Sequence, residues 1–278
     1  MTEIREWSRS DTARFFRVPT RGDDKYSRGV VALRTGSSAY PGAAVLGVEA
    51  AWRAGAGFVR HIGAQRVADA VLSRRPETVT GPHAGRSRPD AWVIGSGIDP
   101  QDRSFEETAA LRQLLAGDVP VVVDAGALDL APGASAPVVL TPHAGEFRRL
   151  QERLGLAAAD DAPREQALAH VATEIGGVVL LKGATTLVAD ARGGLIAVSE
   201  STGWLATAGT GDVLAGVLGA VIAADPTRPL LEAAATAAWV HGRAARVASG
   251  AIDGAAGHPI VALDVASALP LVIGDLIA

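Results

Sequence analysis

The feature that most constrains this chain is an alternation in which short β-branched blocks are followed repeatedly by longer, alanine-rich stretches with helical spacing. From Gly29 onward, Val30–Leu33 precedes Ala43–Ala54, Phe58–Ile62 precedes Gln65–Leu72, and Ala91–Ile94 precedes Phe105–Leu115. Val119–Val123 comes next, then Val138–Leu140 before Gly145–Leu154, and a helix around Arg164–Ile175 before Val178–Leu181. Strands separated by whole helices cannot pair as tight hairpins, so the order predicts an α/β fold with a mostly parallel central sheet flanked by helices on both faces. One stretch breaks the rhythm. Thr186–Val188 and Ile196–Val198 flank a glycine-bearing connection too short for a crossover helix, which predicts an antiparallel hairpin edge. Past Gly211 the chain reads as helical: Asp212–Ala224, Leu230–Ala248 and, more loosely, His258–Ile277, with Pro226, Pro229, Pro259 and Pro270 as punctuation.

Residues 1–24 carry no sustained period and read as a lead segment, partly ordered at best; residues 25–278 read as a single domain. Hydrophobic residues make up 48% and charged residues 20%, enough apolar material for a large core. A net charge of −4 and a pI of about 5.9 offer no global attraction for nucleic acid or an anionic membrane, so neither is expected as a partner. The absence of cysteine excludes disulfides, thiolate metal sites and a cysteine nucleophile. No apolar run approaches the roughly 18 residues of a membrane span or forms a signal peptide, so a cytoplasmic location is expected.

In open α/β sheets, ligands bind beyond the carboxyl ends of the strands. Here those ends carry Thr35-Gly36-Ser37-Ser38, Ile94-Gly95-Ser96-Gly97, Asp124-Ala125-Gly126-Ala127-Leu128, Thr141-Pro142-His143-Ala144-Gly145-Glu146 and Lys182-Gly183-Ala184-Thr185-Thr186. The strongest segment is Thr207-Ala208-Gly209-Thr210-Gly211-Asp212, a glycine turn opening into an apolar helix. Its first backbone N–H groups lack intrahelical acceptors and form an anion site for a phosphate or an oxyanion. Asp212 reads equally as a helix-start carboxylate or as a general base beside that anion site. The terminal Gly-Lys-Ser/Thr of a P-loop is missing. Every basic residue is arginine except Lys25 and Lys182, and Lys182 ends an apolar strand where it could reach a phosphate or snorkel to solvent. His143 and Glu146 come to one side of a turn without the second histidine of a zinc site, and the other histidines read as structural or surface residues.

Taken in order, these stretches resemble the nucleotide-dependent NAD(P)H-hydrate dehydratases, relatives of the ribokinase-like kinases. The matching segments are Lys25-Tyr26-Ser27-Arg28-Gly29, Gly36–Ala43, Arg53-Ala54-Gly55-Ala56-Gly57, Ile94–Gly97, Asp124–Leu128, Thr141–Phe147, Leu181-Lys182-Gly183 and Gly209–Gly216, and they span about residues 25 to 275. The resemblance implies a ribokinase-like fold and a repair reaction. ADP or ATP would phosphorylate the C6 hydroxyl of (S)-NAD(P)H hydrate, and loss of phosphate would restore NAD(P)H. On this resemblance Asp212 would be the base, with Ala43, Gly97, His143 and Asp212 at the hydrated dinucleotide. Lys182, Gly183, Ala184, Thr185, Thr186, Gly209, Thr210 and Gly211 would serve the nucleotide, and Glu146 would orient Mg2+ through water.

The chain departs from the family pattern at several points. Ser96 and Ala144 stand where proline is common, Thr35-Gly36 where a glycine pair is common, and a short Ser201-Thr202-Gly203-Trp204 where an asparagine-bearing loop is common. Trp204 is therefore the residue expected to alter specificity. Residues 1–24 are too short to hold the epimerase domain often fused to such dehydratases, which predicts a separate NAD(P)H-hydrate epimerase as partner, and a homo-oligomer is expected. Two alternatives share the Asp212 turn: a small-molecule kinase acting on a vitamin precursor or sugar alcohol, and a degenerate nucleotide-binding module without turnover.

Overall fold

The computed structural model describes residues 4–83, 88–156 and 163–278. Among the described residues ten strands form one sheet: β1 (Arg5–Glu6), β2 (Val30–Arg34), β3 (Phe58–Ile62), β4 (Val79–Gly81), β5 (Ala91–Ile94), β6 (Val121–Val123), β7 (Val138–Leu140), β8 (Val178–Leu181), β9 (Thr186–Asp190) and β10 (Leu195–Val198). Their spatial order is β1-β10-β9-β8-β7-β6-β5-β2-β3-β4. Among the described strands only β9 opposes its neighbours; every other pairing is parallel.

The helices are α1 (Arg9–Ala13), α2 (Pro41–Arg53), α3 (Gln65–Arg74), α4 (Phe105–Leu115), α5 (Ala144–Arg153), α6 (Arg164–Ile175), α7 (Thr210–Ala224), α8 (Leu230–Ser249) and α9 (Ala262–Ile277). Because side chains alternate along a strand, each central strand feeds two cores. Val31, Leu33, Val93 and Val122 pack with α2, α7, α8 and α9, whereas Ala32, Ile94, Val121 and Val123 pack with α4, α5 and α6 on the opposite face. Burial on both faces explains why these strands read as continuous apolar runs. No helix among the described residues is long and apolar enough to cross a membrane.

Three features differ from the sequence reading. Residues 5–13 of the lead segment are ordered: β1 extends the sheet beside β10, Trp7 is buried, and Ser8 with Asp11 forms a reciprocal cap on α1. The hairpin strand β10 is thus covered rather than outermost. The short strand β4 adds an unforeseen edge beside β3. Pro270 does not end α9, which runs through it. An interior proline costs about 3 kcal/mol, but α9 buries Val265, Ala266, Leu269, Val272 and Leu276 while Pro270 stays on the exposed side. The apolar face outweighs the lost hydrogen bond.

Candidate active site

The sheet order builds the centre of the site. Strands β5, β6, β7 and β8 are neighbours, with Ile94 in register with Val123, Val123 with Leu140, and Leu140 with Val179. The residues just past their carboxyl ends therefore stand in a row. Ser96 Oγ donates to Asp124 Oδ2 at 2.8 Å, Thr141 Oγ1 donates to Asp124 Oδ1 at 2.8 Å, and Lys182 Nζ donates to the same oxygen at 3.1 Å. The Lys182 backbone N–H donates to the carbonyl of Pro142 at 2.9 Å, which fixes the root of the lysine. Its ammonium also lies 3.8 Å from Glu146 Oε2. Burial works against the charged lysine, but the carboxylates of Asp124, Glu146 and Asp212 outweigh it and raise its pKa.

The start of α7 closes over this row. Gly209 is the N-cap residue at φ +88°, a left-handed conformation, and a Cβ there would lie 2.5 Å from Leu46 Cδ1. Thr210 Oγ1 donates to the carbonyls of Leu205 and Thr207, both at 3.0 Å, and ties the preceding loop to the helix. A Cβ on Gly211 would stand 3.4 Å from Lys182 Nζ, so the lysine sits against the helix start. Asp212 follows in the first turn, and no side-chain capping bond forms at this end of α7. Burial, reinforced by the nearby Asp124 carboxylate and opposed by Lys182, pushes the Asp212 pKa up to about 7.

Another carboxylate shows what a structural role looks like. Glu49 on α2 is fully buried yet held at about 2 against its burial, because Arg75, Arg53 and Arg74 all bond to it. Asp212 has no such set of donors, so its charge is destabilised. Asp212 does stand in the first turn of α7, as the helix-start reading expects, and its raised pKa suits a proton acceptor.

Two cavities flank the row. One, of about 570 Å³, is lined by Lys182, Gly183, Ala184, Thr186, Thr210 and Gly211, together with residues 200–203, 205 and 206 and the α8 residues Ala238, His241 and Gly242. Of the eight expected nucleotide residues, all but Thr185 and Gly209 are in this lining. The larger cavity, about 730 Å³, is lined by Gly97 and Glu146 as well as Tyr40, Asp99, Gly126, Asp129, Arg149 and Arg153. Ala43 and His143 stand next to it rather than in its lining. At φ +69°, Gly97 packs so close to Ala43 that a Cβ would come within 2.5 Å of the Ala43 Cβ. His143 caps α5: its Nδ1 accepts from Gly145 N at 3.0 Å and Glu146 N at 3.4 Å, while Glu146 Oε2 accepts from His143 N at 2.8 Å. The cavities meet where Lys182, lining one, faces Glu146, lining the other.

Several site residues escaped sequence reasoning. Asp124, Ser96 and Thr141 lay in noted segments, but their mutual bonding requires the strand order. His241, read as structural or surface, is buried at the 570 Å³ cavity, and burial lowers its pKa to about 4. Its apolar helix context gave no signal. Trp204 itself turns away from the cavity that its neighbours Gly203 and Leu205 line, and its Nε1 donates to the carbonyl of Ala256 at 2.7 Å.

Comparison with known proteins converges on one family. A family profile described as NAD(P)H-hydrate dehydratase matches residues 31–255. The bifunctional NAD(P)H-hydrate repair enzyme of Mycobacterium tuberculosis is 42% identical over 230 residues, which cover 80% of this chain. The chain spans about half that relative's length, the match covering 46% of it. The ADP-dependent (S)-NAD(P)H-hydrate dehydratase of Neisseria meningitidis serogroup B is 34% identical over 247 residues, covering 84% of this chain and 81% of that protein. Among solved structures, the ADP/ATP-dependent NAD(P)H-hydrate dehydratase of Bacillus subtilis, co-crystallised with ATP and Mg2+, superposes with a TM-score of 0.84 at 25% identity, covering 99% of this chain and 100% of that one. Sequence and fold agree, and the chain belongs to the NAD(P)H-hydrate dehydratase family.

Proposed function

We propose that this chain dehydrates (S)-NAD(P)H hydrate at the expense of ADP or ATP, with residues 25–278 as one catalytic domain. The observation that carries the reading is Asp212: a half-buried carboxylate in the first turn of α7, pushed up to about 7 and adjacent to Gly211, which lines the smaller cavity, although Asp212 is in the lining of neither cavity. A base with a pKa near the working pH is well matched to its task. The nucleotide would enter the cavity lined by Lys182, Gly183, Ala184, Thr186, Thr210 and Gly211, with Thr185 and Gly209 adjacent to that lining in the chain. The hydrated nicotinamide would approach past Gly97, Ala43 and His143.

Asp212 takes the proton of the C6 hydroxyl as its oxygen attacks the terminal phosphorus. The new O–P bond forms, the bridging P–O bond breaks, and AMP or ADP leaves. The α7 N–H groups and Lys182 hold the charge on the transferred phosphoryl group. The ring nitrogen then expels phosphate from C6, and loss of a C5 proton restores the dihydronicotinamide.

Among the described residues no cluster of three metal-ligating side chains exists, so a cage built from protein alone does not fit Mg2+. A nucleotide-borne ion that keeps its waters does fit, since Mg2+ at phosphates commonly uses one or two carboxylates. Glu146, although engaged by His143 and Lys182, is the residue that would orient those waters. When bound, the ion would supply neutralisation of phosphate charge.

A cytoplasmic location, homo-oligomeric assembly and cooperation with an NAD(P)H-hydrate epimerase belong to the same proposal; the bifunctional character of the M. tuberculosis relative supports the last. The decisive experiment supplies hydrated NADH or NADPH with ADP or ATP and follows the returning dihydronicotinamide absorbance together with released phosphate. Recovery of both in equal amounts supports the reading. Accumulation of a stable phosphorylated product, or no turnover with either nucleotide, overturns it.

A further inference from the structure

The larger cavity has a charge polarity that the dehydration chemistry does not use. Helix α5 presents Glu146, Arg149, Leu150 and Arg153 to it, the i, i+3, i+4, i+7 spacing of one helix face. Glu146 occupies the end beside Lys182 and Asp124. From there Arg149 and Arg153 run outward, Arg153 about 10 Å farther along the helix axis at 1.5 Å per residue. The Arg149 guanidinium leans back over the first turn, where a Cβ on Gly145 would lie 4.0 Å from its Nη1, and so stands beside the His143 cap.

The carboxylates facing the same cavity are largely satisfied. Asp129 receives a bidentate pair from Arg103 at 2.9 and 2.7 Å, with Arg103 itself buried. Glu146 is held by the His143 backbone and by Lys182. Asp99 accepts from Gln101 N at 2.9 Å and lines the same cavity as the two arginines. Along α5 the lining thus runs from Glu146, held beside Lys182, to two arginines, of which Arg149 stays near the His143 cap and Arg153 lies a turn farther out.

We propose that Arg149 and Arg153 form a phosphate subsite for the distal part of the dinucleotide. The inference rests on the proposed function in one respect, that the nicotinamide end lies at Asp212. A hydrated dinucleotide so placed has an uncharged ring at the Glu146 end and its phosphates toward the guanidiniums, whose planar forks suit phosphate oxygens. Both the pyrophosphate, common to all such dinucleotides, and the 2′-phosphate, present only in the NADP series, offer that chemistry.

The test is the double variant Arg149→Ala/Arg153→Ala against the parent, assayed with NADH hydrate and NADPH hydrate. KM for the hydrate should rise about tenfold, the scale of a lost charge-assisted hydrogen bond, with kcat and the nucleotide KM close to the parent. A rise with both hydrates places the pyrophosphate there, and a rise confined to NADPH hydrate places the 2′-phosphate. Unchanged KM with both, or an equal rise in nucleotide KM, overturns the subsite. Calorimetric titration with NADPH keeps the inference separate from the reaction. If the parent proves inactive, weaker NADPH binding by the double variant still supports the subsite, and equal binding still overturns it. Arg149→Lys/Arg153→Lys, which keeps the charge, should restore most of the lost affinity.

Discussion

The two cavities beside Lys182 are built by different means. The smaller cavity draws mainly on contiguous runs rich in small residues, Lys182-Gly183-Ala184, Glu200-Ser201-Thr202-Gly203, Leu205-Ala206 and Thr210-Gly211. The larger one is made of side chains brought from separate segments: Tyr40, Asp99, Asp129, Arg149 and Arg153. A backbone-built site needs glycine and small residues in an unbroken run, so its motif survives in the linear sequence. A side-chain-built site needs only that the fold deliver its members, and its motif is scattered. In the proposed function the chemistry sits at the seam, where Asp212 feels Asp124 and Lys182 at once.

The largest expected effect lies at that seam. Asp212→Asn keeps size and polarity but removes the base, and turnover should fall about 10²–10⁴-fold while both ligands still bind. A folded variant with turnover within a few-fold of the parent would remove Asp212 as the base. In the parent, activity should rise with pH through about 7 and then level off, as the carboxylate becomes the deprotonated form. Stability moves the other way. Because the folded-state pKa is raised from 3.8 to about 7, the folded protein retains a proton that the unfolded chain releases, and this contribution to stability is lost as pH climbs through that window. Asp212→Asn should therefore gain stability relative to the parent between about pH 4 and pH 7, which thermal melts across that range can check.

Next in size is Lys182→Ala, which separates the two sides. Loss of a charge-assisted contact to phosphate should raise the nucleotide KM by about 10–100-fold, with a much smaller change for the hydrate. Equal losses in calorimetric titrations of both ligands would make Lys182 a structural partner of Asp124 and dissolve the distinction between the sides. Lys182 was legible because this chain uses lysine so sparingly and because the residue ends an apolar strand. The helical layers and the parallel strands were legible for a related reason: their period is written in burial. Strands β1 and β4 were not, since Arg5-Glu6 and Val79-Thr80-Gly81 join the sheet through backbone bonds with little apolar patterning. Asp124 was visible only as part of a loop, because its partners lie 28 and 17 residues away and meet it through the order of β5, β6 and β7.

Ser96 probes that hidden network. It stands where the family pattern commonly has proline, and its hydroxyl is the donor to Asp124 Oδ2. Ser96→Ala should destabilise the protein by about 1 kcal/mol and lower kcat a few-fold, because Asp124 keeps Thr141 and Lys182 on its other oxygen. Thr141→Val should do the same. If neither variant alters kcat, the Asp124 row is scaffolding for the sheet edge and the seam reduces to Asp212 and Lys182.

The smallest effect belongs to Trp204, which the sequence singled out as the residue to alter specificity. Trp204 is 37% exposed and its Nε1 bonds Ala256, so it braces the loop 203–205 against the segment before α9. Trp204→Phe keeps the ring and loses one exposed hydrogen bond, worth about 1 kcal/mol or less, so KM for nucleotide and hydrate should stay within a few-fold of the parent. Fluorescence is the sharper readout. Trp7, Trp92 and Trp239 are buried, and Trp52 is fixed by its bond to Thr78, whereas Trp204 sits between two residues that line the nucleotide-side cavity. ADP should therefore change the emission of the parent and leave Trp204→Phe nearly silent. An undiminished response in the variant would mean that the loop does not sense the nucleotide. A large shift in hydrate KM would mean that Trp204 reaches across the seam, making the side-chain-built cavity larger and the backbone-built one smaller than their linings indicate.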